Sequence, residues 1–364
     1  GGAPDFNRWP LAPNGASLYW EGLNKGKKSV ALNLAKPEGR ELALAIAAAP
    51  GANGGLFVTN YPVEGFLSYD KLKAKRADII CVRVMGWADG TPAVDYTVNA
   101  AVGVPYMTGP AEQTSPVNHV LPAWDLLGGA YAAFALLAAE RKRRESGQGC
   151  EIRVPLSDLA ISSLSHMGNV AEVLTTGADR PRLGNALFGA FGRDFAVADG
   201  RVMVVAITPK QWNGLLKVLG IADAIAAVER EVGATFADDE GARFTHRERR
   251  LEDREQAFAT RTRAALGPAF DAGGVTWAPY QTLHEAATRD PRFVTGNPLF
   301  APVTGNPSGL TYPAAGPAGT VAGAARSPIA PAPRLGEHTD QILAEVLGLP
   351  SGEIARLHDM GIVA

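Results

Sequence analysis

Apolar and polar positions along the chain change period several times, and each change marks an element. Ser29 to Leu34 alternates as a strand, while Gly55 to Thr59 and Asp78 to Met85 are short apolar runs of strand length, the second ending at Gly86. Between the first two, Pro37-Glu38-Gly39-Arg40 opens a helix that runs to about Ala49. The longest pattern lies between Val117 and Gly149. Pro122 suits a first helical turn, where its missing N–H would have no intrahelical partner, and an Ala/Leu-rich run of high helix propensity follows. Arg141 to Arg144 face the negative end of the helix dipole, and Gly147 supplies the stop. Nearly every residue between these limits is apolar or small, which predicts a helix buried on most sides and roughly 33 Å long at 1.5 Å per residue. Cys150 to Pro155 then reads as a strand and Ser157 to Leu174 as a helix.

Strand, helix and strand in alternation are the signature of an α/β sheet with parallel strands, whose ligands bind beyond the carboxyl ends of those strands. Asn60, Tyr61 and the turn from Arg83 to Gly86 lie at such ends. The stretch T-T-G-A-D-R-P-R-L-G-N-A-L-F-G-A-F-G-R-D reads as a glycine-rich loop, and from Arg201 a strand followed by charged helices, notably Ala242 to Ala265, marks a second domain. Residues 301 to 335 are dense in Pro, Gly and Ala and read as an extended strap; a helix begins at Thr339 or Asp340.

Composition narrows the function more than the fold. A net charge of −2 over 364 residues provides no global basic field, which argues against nucleic acid as a partner. No apolar run reaches about 18 residues, so no membrane span is expected. Cys81 and Cys150 lie in no C-x-x-C or His/Cys cluster, which points to reduced thiols, a cytoplasmic setting and no metal site. No G-x-G-x-x-G follows a strand, no phosphate-binding G-x-x-x-x-G-K-[ST] occurs, and no G-x-S-x-G marks a serine hydrolase.

The one acid in the apolar stretch of the long helix, before Glu140, is Asp125, in its first turn. The dipole there favours the ionised form and is expected to lower its pKa. Asp125 either completes an N-terminal cap or serves as a nucleophilic carboxylate. Gly128 and Gly129 favour the second role: each costs about 1 kcal/mol in a helix relative to Ala, a cost that makes sense where something approaches the backbone closely. Lys25, Lys27 and Lys28 either hold phosphates or form a solvated turn, and the loop carrying Phe188 and Phe191 is either a flexible connection or a cover over a site. Arg182 and Arg193 flank that loop as candidates for gripping a carboxylate or as solvated arginines, and His119 reads as structural.

Several motifs in order resemble the class III CoA-transferases, a family that includes the α-methylacyl-CoA racemases. N-K-G-K-K-S-V-A-L-N-L-A-K-P-E-G-R is similar to the family's basic-patch strand, T-N-Y-P to its strand-end CoA loop, D-Y-T-V-N-A-A-V-G to its next CoA segment and R-L-G-E-H-T-D to its C-terminal signature. The resemblance implies an α/β fold with a Rossmann-like CoA-binding domain of parallel strands over 1–195, a smaller α/β domain over 196–312, and a strap with a C-terminal helix over 313–364 returning to the first domain. It implies Asp125, the Asp of A-W-D, as the nucleophile. It also implies CoA contacts at Lys25, Lys28, Leu32, Asn33, Leu34, Asn60, Tyr61, Pro62, Val94, Asp95 and Tyr96, and a lid at Phe188, Gly189 and Phe191.

CoA enters as part of an acyl-CoA substrate rather than as a resident cofactor, and family members are interlocked homodimers. V-D-Y-T-V-N, N-H-V-L-P-A-W-D, G-A-F-G-R-D-F, V-T-W-A-P-Y and A-P-R-L-G-E-H-T-D resemble most closely the members that move CoA between the two carboxyls of one 2-methylfumarate; transfer between separate acids is the alternative. The racemases carry a His where this chain has Val94, so their second base is lacking. The strand–helix–strand with which family members begin has no counterpart in this sequence, so the resemblance implies that the first unit of the Rossmann-like sheet is missing from it, and Leu187-Phe188-Gly189-Ala190 stands where the general transferases have a run of glycines.

Overall fold

The computed structural model describes residues 4–249 and 251–364, without the side chains of 251–253. The chain divides into two compact units. Residues 1–98, 122–162 and 285–364 form one, and residues 99–121 and 163–284 the other. The division departs from the expected boundaries at 195 and 312, because the chain passes between the units four times instead of completing one domain before starting the next.

In the first unit, β1 (Leu56–Thr59), β2 (Ile80–Met85) and β3 (Cys150–Pro155) form a parallel sheet in that order. Period-2 alternation sends Ile80, Val82 and Val154 to one face, where they pack with Ala132, Ala139 and Leu159. Cys81 faces the other side with Leu44, Leu67 and Leu72. Both faces are covered by helices, as a parallel sheet requires. The long helix spans Ala123–Ser146 and ends, as expected, with Gly147 in the left-handed conformation at φ 69°. Arg143 does more than face the dipole: it is buried and donates through Nη1 to the carbonyls of Gly54, Gly55 and Asp78.

Ser29 to Leu34 is not a strand. It holds a single bridge, Leu32 with Val363, together with a bond from the Asn33 N–H to the Ile362 carbonyl at 2.8 Å. Leu32, at the centre of its alternating pattern, packs on Leu343, Ile354, Leu357 and Ile362 without a full ladder beside it. The strap is also more structured than expected, since β7 (Phe300–Val303) and β8 (Tyr312–Ala315) pair antiparallel within it. Glu21, buried on a short helix, accepts from Ser308 N–H at 2.6 Å, Ser308 Oγ at 3.1 Å and Tyr312 Oη at 2.7 Å, tying that hairpin into the first unit.

The second unit is built on β4 (Phe191–Val197), β5 (Gly200–Ala206) and β6 (Thr276–Pro279), all antiparallel, around Phe191, Phe195, Trp212, Phe236, Phe258 and Phe270. β4 lies partly where a loop was expected. Gly192 and the charged pair Arg193-Asp194 hide the alternation of Phe191, Phe195 and Val197, which all face this core. The expected helix from Ser157 to Leu174 is two, Leu156–His166 and Asn169–Thr176, broken at Gly168 with φ 79°. In place of one charged helix over 242–265 stand Glu240–Thr245, Leu251–Ala259 and the start of Arg263–Gly273.

Candidate active site

Asp125 sits in the first turn of the Ala123–Ser146 helix, and its residue is exposed. Pro122 at the N-cap position offers no side-chain acceptor. The acceptor comes instead from Asp95, whose Oδ2 takes the Trp124 N–H at 2.6 Å and the Asp125 N–H at 3.3 Å. Two consequences follow, and the second corrects the sequence reading. Those two N–H groups, the natural donors to an oxyanion at a helix start, are already engaged. Moreover, the Asp125 pKa is raised, not lowered: desolvation contributes most, then the Asp95 carboxylate, while Arg8 opposes and Asp5 adds to the rise. A carboxylate already occupying the positive end of the dipole leaves little of it for the next.

The two helix glycines separate. A Cβ on Gly128 would stand 2.9 Å from Leu156 Cδ2, so that glycine serves internal packing. Gly129 has nothing within 4 Å of its Cβ position and lies one turn beyond Asp125 on the same side of the helix. The helix is also less buried than its composition suggests: Leu126, Tyr131, Phe134 and Leu137 are all exposed.

The expected CoA contact residues all lie in the first unit. The Asn60-Tyr61-Pro62 loop follows β1 and is held by Arg83, a wholly buried residue of β2. Its Nη1 donates to the carbonyls of Tyr61 at 2.8 Å and Pro62 at 2.9 Å, its Nη2 to Leu67 at 2.9 Å, and its Nε to Glu151 Oε1 at 2.9 Å. Tyr61 is partly exposed, its ring edge-on to Phe66. Lys25 is half-buried, and burial followed by the charge of Lys27 lowers its pKa; its ammonium bonds the Gly22 carbonyl. Lys28 reaches Glu345 at 3.9 Å, an exposed pair of little energetic weight. Around Asn33 the chain closes tightly on Gly39, where a Cβ would lie 2.1 Å from the Asn33 carbonyl oxygen. Leu34 gives its carbonyl to Arg40 Nε at 2.7 Å, and Leu32 makes the bridge to Val363. Val94 and Tyr96 are exposed, but Asp95 between them is 1% exposed and turned to the helix start, which removes it from an open binding surface.

The expected lid residues lie in the second unit and do not act alike. Phe188 is partly exposed, with the Arg180 guanidinium 3.8 Å from its ring centroid and the Phe244 ring 5.0 Å away; Arg247 lies 4.3 Å over Phe244. Gly189 adopts φ 79°, and no atom crowds its Cβ position. Phe191 is no lid residue: at 2% exposed it belongs to the core of β4. Arg182 is likewise unavailable to a ligand carboxylate, since it is buried and donates to the carbonyls of Tyr106, Gln113 and Pro105 at 2.8, 2.7 and 3.2 Å. Arg193 pairs with Glu248 at 3.4 Å. Among the described residues no three His, Cys, Asp or Glu side chains converge as for a metal, and no helix is long and apolar enough to cross a membrane.

The profile of CoA-transferase family III matches residues 3–339. The chain belongs to that family. A 2-methylfumaryl-CoA isomerase of Chloroflexus aurantiacus is 48% identical over 366 aligned positions, which cover all of this chain and 89% of that one. The human succinyl-CoA:glutarate CoA-transferase is 26% identical, covering all of this chain and 82% of its own. A CAIB/BAIF family protein from Brucella suis superposes with a TM-score of 0.73 at 22% identity, over 94% of this chain and 89% of that one. The class III CoA-transferase fold and its α/β character are therefore those of this enzyme. Pattern reading placed Arg83 in the turn that closes its strand; it lies inside β2 and holds the Asn60–Pro62 loop. Its signal was present as the one charge inside the apolar run I-I-C-V-R-V-M.

Proposed function

We propose that this enzyme is an intramolecular CoA transferase converting 2-methylfumaryl-CoA into 3-methylfumaryl-CoA. The observation that carries the reading is the 48% identity, over the whole chain, to an isomerase of that name, joined to an accessible carboxylate at the start of the long helix. Ionised Asp125 attacks the thioester carbonyl of the substrate, giving a mixed anhydride and CoA thiolate. The thiolate attacks the aspartyl carbonyl, forming an enzyme thioester and freeing the diacid. The diacid turns over, and its other carboxylate attacks that thioester to form a second anhydride and expel the CoA thiolate, which then attacks the diacid's own carbonyl to give the product and release the Asp125 carboxylate.

The opening attack needs Asp125 deprotonated, so its raised pKa makes it a more basic nucleophile at the expense of its ionised fraction in acid. The open side of the helix at Gly129 leaves room for the acyl group beside the carboxylate. Lys25, Lys28 and the Asn60–Pro62 loop hold the CoA moiety, with Val94 and Tyr96 beside them. Phe188 restrains the freed diacid. The exposed apolar residues of the long helix, Leu126, Phe134 and Leu137 among them, are covered by a second copy in a homodimer working in the cytoplasm.

Transfer between separate acids is the second reading, favoured by relatives such as the human succinyl-CoA:glutarate enzyme. The test is to incubate the protein with 2-methylfumaryl-CoA and isotope-labelled free mesaconate, then separate the two thioesters. Isomerisation without label uptake, abolished in Asp125→Ala, is expected; extensive uptake would establish intermolecular transfer, and no isomerisation would refute both the substrate and the reaction.

A further inference from the structure

Asp95 has no part in the chemistry just described, yet its setting is costly. Its Oδ2 caps the long helix through Trp124 and Asp125, and its Oδ1 is buried with no hydrogen-bond partner among the described residues. Capping alone does not call for a charge: Asn and Ser cap a helix about as well as Asp. A buried carboxylate oxygen without a donor is destabilising, and such groups persist where function retains them.

We propose that Asp95 is the positioning residue of the nucleophile: a carboxylate from the neighbouring Asp95–Ala101 helix that fixes the first turn of the long helix by two hydrogen bonds and acts on Asp125 by its charge. This rests on the reading of Asp125 as the nucleophile. The hydrogen bonds hold the backbone N–H of Asp125 itself, so they set where its side chain departs from the helix. The other charged groups bearing on the Asp125 carboxyl are Asp5 and Arg8 of the first residues, which are paired with each other at 3.2 Å and act in opposite directions. Asp95 is the larger influence after desolvation, and it is the one rigidly held.

The test uses the full chain with aspartate labelled at its carboxyl carbon, in the unaltered protein, D95N and D95A, with the Asp125 resonance assigned by its loss in D125N. In the unaltered protein Asp125 should titrate above the ordinary carboxylate range. In D95N, which keeps an acceptor oxygen but not the charge, the midpoint should fall. In D95A, which loses both, kcat with 2-methylfumaryl-CoA should drop on the order of 10²-fold with KM changed by less than about twofold, as expected for a misplaced nucleophile. D95N should restore much of that kcat and move the acid limb of kcat/KM toward lower pH. An ordinary Asp125 midpoint in the unaltered protein, or a D95N protein with unchanged midpoint and pH profile, would overturn the proposal, and the first of these needs no variant to fold. If the unaltered protein does not isomerise the substrate, the proposed function falls, while the titration still decides the role of Asp95.

Discussion

Replacing Arg83 with Met removes a guanidinium that is wholly buried and donates to four oxygen acceptors on three segments of the first unit, besides the Cys81 sulfur beside it on β2. Met approximates the aliphatic length, so lost packing is a minor part of the effect. The Tyr61 and Pro62 residues are exposed, so their carbonyls can turn to water and contribute little. What remains is Glu151, paired at 2.9 Å and left without its buried partner, and the carbonyl of Leu67. Breaking a buried pair by removing one partner costs about 3–5 kcal/mol, and Arg153, which also reaches Glu151 at 2.9 Å, places the expectation at the lower end, about 3 kcal/mol. The assay is urea unfolding at 25 °C of R83M, E151Q and the double variant. The coupling energy from that cycle should exceed about 1 kcal/mol. Amide exchange over residues 60–67 should accelerate on the order of 10²-fold, and KM for the acyl-CoA should rise as the loop loses its anchor. A loss below about 1 kcal/mol with unchanged exchange in that loop would refute the account of Arg83 as its anchor.

Asp125→Asn should lower kcat on the order of 10⁴-fold or more, measured by thioester separation. It should also stabilise the fold near neutral pH. A carboxyl whose pKa is raised on folding gives stability that is present below its unfolded pKa and lost as pH rises through the folded value, and Asn suffers no such loss. A Tm–pH series should show the Asn variant ahead at pH 7 and the gap closing below about pH 4. The two phenylalanines near the loop should part company: Phe188→Gly should leave Tm nearly unchanged but raise exchange with added mesaconate, whereas Phe191→Ala should cost about 3–5 kcal/mol in unfolding free energy. Gly129→Ala should stabilise the helix by up to about 1 kcal/mol while lowering kcat/KM, because its new methyl enters the open space beside Asp125.

The sequence alone determined the elements whose signals are local. Pro122 and Gly147 bracket the long helix to within a residue at each end, the segments read as strands at 55–59, 78–85 and 150–155 are the parallel strands to within two residues, and the acid in the first turn stands out because its surroundings are apolar. Helix and strand periodicity and terminal chemistry act over a few residues, so they are written in neighbouring letters. The tertiary structure decided everything that depends on which distant groups meet. It gave the long helix a cap from Asp95, some thirty residues upstream, and it reversed the expected direction of the Asp125 pKa, first by desolvation and then by that neighbouring carboxylate. It spent Arg182 on backbone carbonyls, sank Phe191 in a core, and left Ser29 to Leu34 with one bridge where a strand was expected. Hydrogen bonds and desolvation depend on spatial neighbours contributed by other segments, and no local period encodes them.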